Sequence, residues 1–364
     1  MTIRRGFLAA CVSLLAASLW AQTPAGKDGP IVPDPGAIVP AEPVASPTPA
    51  PSASPSAAPA ENGTPAFETS TRPGIYISDT GNHRIIYMKD IEGSERKVLG
   101  RAGREPGYFL HPTQIWVDPN GLLFVADRDN NRVIRMNAMN GYGWKEIGGL
   151  NHPEGVASRG DEVYVSDTGN DQILVYQDID KPAVRTLKDP KISRPTGLWL
   201  DQNKDLYVTC GQDPPGGRVV KIGNSEDPSK WEVYEGQNLR QLGFAPTQMV
   251  THKRHLWIVD AAASRVVRVD NLAGRAAREW GGYGSALGKF RSPSGLALAE
   301  DGTFYVADSG NDRIVAITGS DPKEWKVYSG SREAVPLRNP CSVFSWCPVP
   351  KPPPPPEEDE EKKK

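Results

Sequence analysis

Across 364 residues the chain carries 42 basic and 44 acidic side chains, a formal net charge of -2, 38% hydrophobic residues, 36 Gly and 35 Pro. So little apolar content with so much Pro and Gly excludes one large, uniformly packed globule and fits a β-rich domain flanked by tails that do not fold. Residues 72–347 hold 35 basic and 34 acidic groups, so they lack the cationic surplus from which nucleic-acid affinity is drawn.

The first element is an export signal over residues 1–21. Arg4 and Arg5 form its basic region, Gly6 to Leu19 its apolar region, and Leu19-Trp20-Ala21 a cleavage site. Arg4-Arg5-Gly6-Phe7-Leu8 is also similar to a twin-arginine signal. These features predict a periplasmic or secreted protein. Residues 22–71 are Pro, Ala and Ser with almost no large apolar group, which predicts a disordered linker. At the other end, residues 348–364 combine Pro352 to Pro356 with an acidic run and Lys362 to Lys364, a second disordered segment.

Between the tails the chain repeats itself. A Pro-anchored short strand recurs at Pro112, Pro153, Pro195, Pro246, Pro293 and Pro340, with spacings of 41, 42, 51, 47 and 47 residues. That period suits a blade of four strands. A hairpin turn such as Asp118-Pro119-Asn120-Gly121 follows in most units. Next comes a β-rich strand ending in Asp, as in Ile75 to Asp79, Leu123 to Asp127, Val163 to Asp167, Leu256 to Asp260 and Phe304 to Asp308. A tight turn, a third strand and a fourth strand that often carries Trp complete the unit. The first recognisable element, Gly74 to Asp79, lacks a first strand of its own, and the last, Asn339 to Trp346, has nothing after it. The C-terminal strand is therefore expected to complete the N-terminal blade and close a ring of six, which protects the sheet edges. The fold class is all-β, a six-bladed β-propeller over residues 72–347.

Two units carry a fuller pattern. One runs through Gly100, Gly103, Gly107, Phe109, Pro112, Val125, Ala126, Asp127, Asn130, Arg132 and Val133. The other runs through Gly281, Gly284, Gly288, Phe290, Pro293, Val306, Ala307, Asp308, Asn311, Arg313 and Ile314. This pattern resembles the NHL repeat, and the resemblance covers residues 72–347. It implies the propeller fold and leaves function open, because sites are grafted onto folds.

The recurring Asp-x-x-Asn-x-Arg loop reads as structural: Asp and Asn bond the turn backbone, and Gly81, Gly169 and Gly310 are expected at positive φ. Blades four and five depart from it. Cys210 replaces the Asp, Asp213 to Gly217 form an insertion, and Ala261-Ala262-Ala263 replaces the polar turn. Of the four cysteines, Cys11 leaves with the signal, and Cys341 and Cys347 lie about 20 Å apart on an extended strand, too far for a disulfide; free thiols are expected.

Residues just after each proline begin the strands that line a propeller's channel. Thr113, Glu154, Thr196, Thr247, Ser294 and Cys341 are expected to ring one mouth, with Gln114 and Gln248 beside them. Relatives resembling the peptidyl-amidating lyase place His directly after the proline to hold zinc, but here His111 and His152 precede it, and two are fewer than the three protein ligands of a catalytic zinc. Relatives of the gluconolactonase type gather several carboxylates around a divalent ion, and Glu154 is a single acid. No cofactor or metal is therefore expected. The sequence favours an exported, non-catalytic binding propeller that recognises a protein, peptide or glycan in the cell envelope. The alternative is a metal-assisted lyase or lactonase-like hydrolase with its site in the central channel. The hairpin His252-Lys253-Arg254-His255 in blade five is expected to be solvent-exposed.

Overall fold

The computed structural model describes residues 71–346 except 212–215, 224–226, 237–242, 275–276 and 319–323. The expected signal and charged tail lie outside the described residues, as do Cys347 and Asp213 to Pro215 of the insertion. The expected linker lies outside them too except for its last residue, Thr71, which belongs to the domain: it is buried and its Oγ1 donates to the Gly121 carbonyl at 2.7 Å. The described residues form six four-stranded antiparallel sheets and no α-helix. Blade two shows the plan: Pro112–Val117, Leu123–Asp127, Arg132–Met136 and Lys145–Ile147, from channel to rim. Its second strand is buried at every position, because both of its faces meet neighbouring sheets. This explains why these strands read as unbroken runs of β-branched and aromatic residues rather than as alternating patterns. Ile77, Val125, Val165, Val208, Ile258 and Val306 occupy the same place in the six blades and are all fully buried. Each such side chain contributes about 1.5–3 kcal/mol to folding.

The channel strands touch one another in sequence around the ring, from Pro112–Val117 through each later blade to Ser342–Trp346 and back to Pro112–Val117. Closure follows the expected route. Ser342–Trp346 pairs antiparallel with Gly74–Asp79, in the register Ile77↔Val343, Tyr76↔Phe344 and Gly74↔Trp346. Two further bonds lock the ends together: Arg338 N donates to Asp79 Oδ1 at 2.8 Å and Cys341 N donates to the Ser78 carbonyl at 3.0 Å.

The recurring loop is built from the strand-two aspartates. Asp127 is fully buried and accepts from Leu110 N at 2.7 Å, Asn130 Nδ2 at 2.8 Å and Arg132 Nε at 2.8 Å. Asp79 and Asp308 repeat the Asn and Arg contacts, and Gln172 replaces the Arg in blade three. Blade five substitutes a backbone N–H, from Ala263, for the Asn amide. In blade four, Cys210 makes only a weak bond to the Lys191 carbonyl at 3.7 Å.

The glycine expectation in these loops fails. Gly81, Gly169 and Gly310 do not have positive φ; the left-handed residues lie two positions later, at His83, Asp171 and Asp312. The glycines serve close approach instead. Their N–H groups donate to the carbonyls of Arg338, Asn151 and Arg291 at 2.8–2.9 Å. A Cβ at Gly81 would stand 2.7 Å from the Arg338 carbonyl oxygen. Positive φ does govern Gly100 and Gly281, at 107° and 109°. There a Cβ would strike the buried rings of Phe109 and Phe290 at 2.5 Å. Those two rings account for Gly100 and Gly281, while a Cβ at Gly103 or Gly284 would meet Tyr108 or Lys289 instead.

Candidate functional site at the channel mouth

Each channel strand enters just after its proline, so the fold brings the post-proline side chains to one end of the channel. Thr113, Gln114, Glu154, Thr196, Thr247, Gln248, Ser294 and Cys341 all line a single cavity of about 340 Å³. The fold spends several of them on holding the blades together. Thr113 Oγ1 donates to the Glu154 carbonyl at 3.0 Å, and Ser294 Oγ donates to the Cys341 carbonyl at 2.7 Å. Thr196 Oγ1 lies 2.9 Å from Thr209 Oγ1, which donates in turn to the Thr247 carbonyl at 2.9 Å. Gln114 reaches across the channel: its Nε2 donates to the Leu198 carbonyl at 2.7 Å and its Oε1 accepts from Leu198 N at 3.0 Å. It closes the floor of the cavity and ties blade two to blade four.

What remains for a ligand is a smaller set. Thr247 Oγ1 is buried without a hydrogen-bond partner. Glu154 is the one carboxylate in the lining, with its side chain 27% exposed. Burial pushes its carboxyl above the usual range, opposed by the positive charges of Arg128 and Arg194. Arg128 Nε lies 3.6 Å from Glu154 Oε1, and Arg128 also borders Asp129. Behind it His111 Nδ1 sits 2.6 Å from Asp129 Oδ2, and the His83 and His111 rings meet edge to face. Cys341 is a free thiol that burial, with Glu154 nearby, pushes up to about 11. That shift favours the thiol over the thiolate, which is the reactive form. Cys210 is also free, and burial pushes it up to about 12.

Arg128 and Arg194 were missed in the sequence, though a signal was present. The position after the strand-two Asp is Thr80, Arg128, Thr168, Ala261 or Ser309, and only blade two is charged there. The position before the proline carries Arg only in blade four. Among the described residues no group of three or more His, Cys, Asp or Glu side chains comes together with the geometry to hold a metal ion. At the mouth itself the lining offers one carboxylate and one thiol as ionisable donors, beside neutral Gln, Thr and Ser oxygens. That set suits neither a three-ligand zinc site nor an oxygen-rich hard-cation site.

The sequence profile of the NHL repeat matches residues 290–317, the blade that carries the second full copy of the pattern. No curated protein matches the sequence. Among solved structures, the chain is similar to one from a nidogen/laminin complex, with a TM-score of 0.56 and 18% identity over 75% of this chain and 98% of that one. It is also similar to a catalytically inactive virginiamycin B lyase from Staphylococcus aureus crystallised with quinupristin. There the TM-score is 0.51 and the identity 14%, over 76% of this chain and 90% of that one. At these identities the likeness is one of fold.

Proposed function

Taking this chain as an NHL-repeat β-propeller, we propose that it is a non-catalytic recognition module, exported to the cell envelope, that captures an acidic group of a protein or peptide partner at the channel mouth. One observation carries the reading: a cavity of about 340 Å³ in which Arg128 and Arg194 face a single partly buried carboxylate, Glu154. A guanidinium on a rigid frame is the natural receptor for a carboxylate, through short charge-assisted hydrogen bonds. Glu154, 3.6 Å from Arg128, restrains that guanidinium, and a partner's carboxylate would compete with it for the same N–H groups. The fold likeness to a nidogen in complex with laminin is compatible with protein recognition.

A photo-crosslinking residue at Thr247 in the native envelope tests the reading. The expected result is a discrete partner that is trapped by the parent and lost when Arg128→Glu is added. Trapping that ignores Arg128→Glu, or no trapping at all, overturns it.

A second reading draws on the raised carboxyl of Glu154, since a perturbed acid in a cleft is a mark of acid–base catalysis. In that reading the chain is a lyase or lactonase-like hydrolase and Glu154 is its proton donor. Turnover of a lactone or of quinupristin by the purified protein, abolished in Glu154→Gln, would favour it over the recognition module.

A further inference from the structure

The opposite end of the channel holds a larger concavity, of about 1010 Å³. It is built where the hairpins joining first and second strands in blades two to six converge, and it shares no lining residue with the mouth described above. Its floor is aromatic. Trp116 stands edge to face against Trp199 at 5.4 Å and packs on Phe344 at 5.2 Å. The indole N–H of Trp116 donates to the Ser158 carbonyl at 2.8 Å, and that of Trp199 donates to Thr251 Oγ1 at 2.9 Å. Both polar edges are thus satisfied within the protein. Trp199, half-buried, presents ring carbon at the base of the basin.

The rim supplies polar and charged groups, some already paired. Arg159 donates to the Asp201 carbonyl, Lys221 Nζ bonds Asp205 at 2.8 Å, and His255 Nδ1 lies 2.9 Å from Asp270. Lys253 and Arg254 differ. They sit on the exposed blade-five hairpin and make no ion pair with any described residue. Beside them His252 is half-buried and held below its usual value by burial and by Lys253. It is therefore a neutral imidazole at physiological pH, able both to donate and to accept. Gln202 and Asn203 add exposed amides on the neighbouring hairpin of blade four.

From this combination we infer that the basin is a second ligand site, specific for an acidic oligosaccharide built from uronic acids. A pyranose ring has a C–H face that lies on an indole and an edge of vicinal hydroxyls that pairs with amides and neutral imidazole. Its carboxylate is met by Arg254 and Lys253 through charge-assisted bonds. The openness to solvent over five hairpins favours a chain of several sugars over a small enclosed ligand.

The test uses the full chain and two probes, tetragalacturonate and the uncharged cellotetraose, in titration calorimetry. Tetragalacturonate is expected to bind, more weakly as salt rises, and cellotetraose to bind at least about tenfold more weakly. Lys253→Glu/Arg254→Glu lies on an exposed turn, so it leaves the melting temperature in place and lowers uronate affinity by about tenfold or more. Arg128→Glu, at the other mouth, leaves it unchanged. Equal binding of both probes, loss of binding with Arg128→Glu alone, or no uronate binding at millimolar concentration overturns the inference.

Discussion

Arg132 offers a sharp test of how the repeat holds itself together. Its side chain is 2% exposed, and it bonds Asp127 through Nε, Glu146 through Nη1 at 2.7 Å and the Tyr108 carbonyl through Nη2 at 3.0 Å. Arg132→Met keeps the length and removes the charge, leaving Asp127 fully buried with only Leu110 N and Asn130 as donors. Breaking a buried pair this way costs about 3–5 kcal/mol. For a domain of this size that is a fall in melting temperature on the order of 10 °C. The pH dependence has a definite sign. Burial already raises Asp127 above its usual value, with Arg132 opposing the rise, so loss of Arg132 raises it further. An acid with a raised folded pKa binds more protons folded than unfolded, so stability falls as pH rises from the unfolded value through the folded one. The deficit of Arg132→Met is therefore largest at neutral and alkaline pH and narrows as acidification protonates the buried carboxyl. Urea denaturation of parent and variant at several pH values measures it. A loss below about 1 kcal/mol, the level of an exposed ion pair, or a deficit independent of pH, refutes the reasoning.

Three further outcomes follow from the same packing. Gly100→Ala forces a side chain onto the Phe109 ring at φ 107° and is expected to destabilise by more than about 1 kcal/mol, read from thermal melts. Glu154→Gln removes a carboxylate that burial disfavours, so its melting temperature at pH 7 is expected to be no lower than the parent's, while envelope crosslinking from Thr247 changes; a large drop would mean that Glu154 is a structural ion-pair partner. With Cys341 as the one cysteine retained, alkylation at pH 7.5 should be far slower than for a free thiol, since the group is held up to about 11; intact-mass labelling over time decides it.

The architecture was legible because a repeat advertises itself: the prolines, the strand-two aspartates and the unmatched strands at the two ends locate six blades and their closure. The gathering of the post-proline residues around one cavity was legible for the same reason, since a residue just after each proline opens onto the channel. Its chemistry was less so. Arg128 and Arg194 lie in loops on different blades, 66 positions apart in the chain, and only closure of the ring brings them to one cavity. Gln114 reads as a mouth residue, yet its bonds to Leu198 cross the channel to another blade, a contact no local pattern encodes. The loop glycines misled for a related reason. Gly81 suggests positive φ from its turn context, whereas its need comes from Arg338, more than 250 residues away. Likewise the hairpin His252 to His255 was expected to be exposed throughout, yet only Lys253 and Arg254 are; the two histidines are half-buried, and the basin they border with Trp116 and Trp199 is assembled from blades two, four and five.

The central claim is a ring shut by a strand from the far end of the chain, and shortening the protein tests it most directly. Two truncations suffice, one ending at Trp346 and one ending at Arg338, so that they differ only by the segment pairing with Gly74–Asp79. The longer form is expected to melt in a single cooperative transition at the parent's temperature. The shorter one loses buried Val343 and Phe344 and exposes the edge of Gly74–Asp79, so its melt should become broad and shift downward. An Arg338-terminated protein that melts as sharply and as high as the parent would contradict the closed ring.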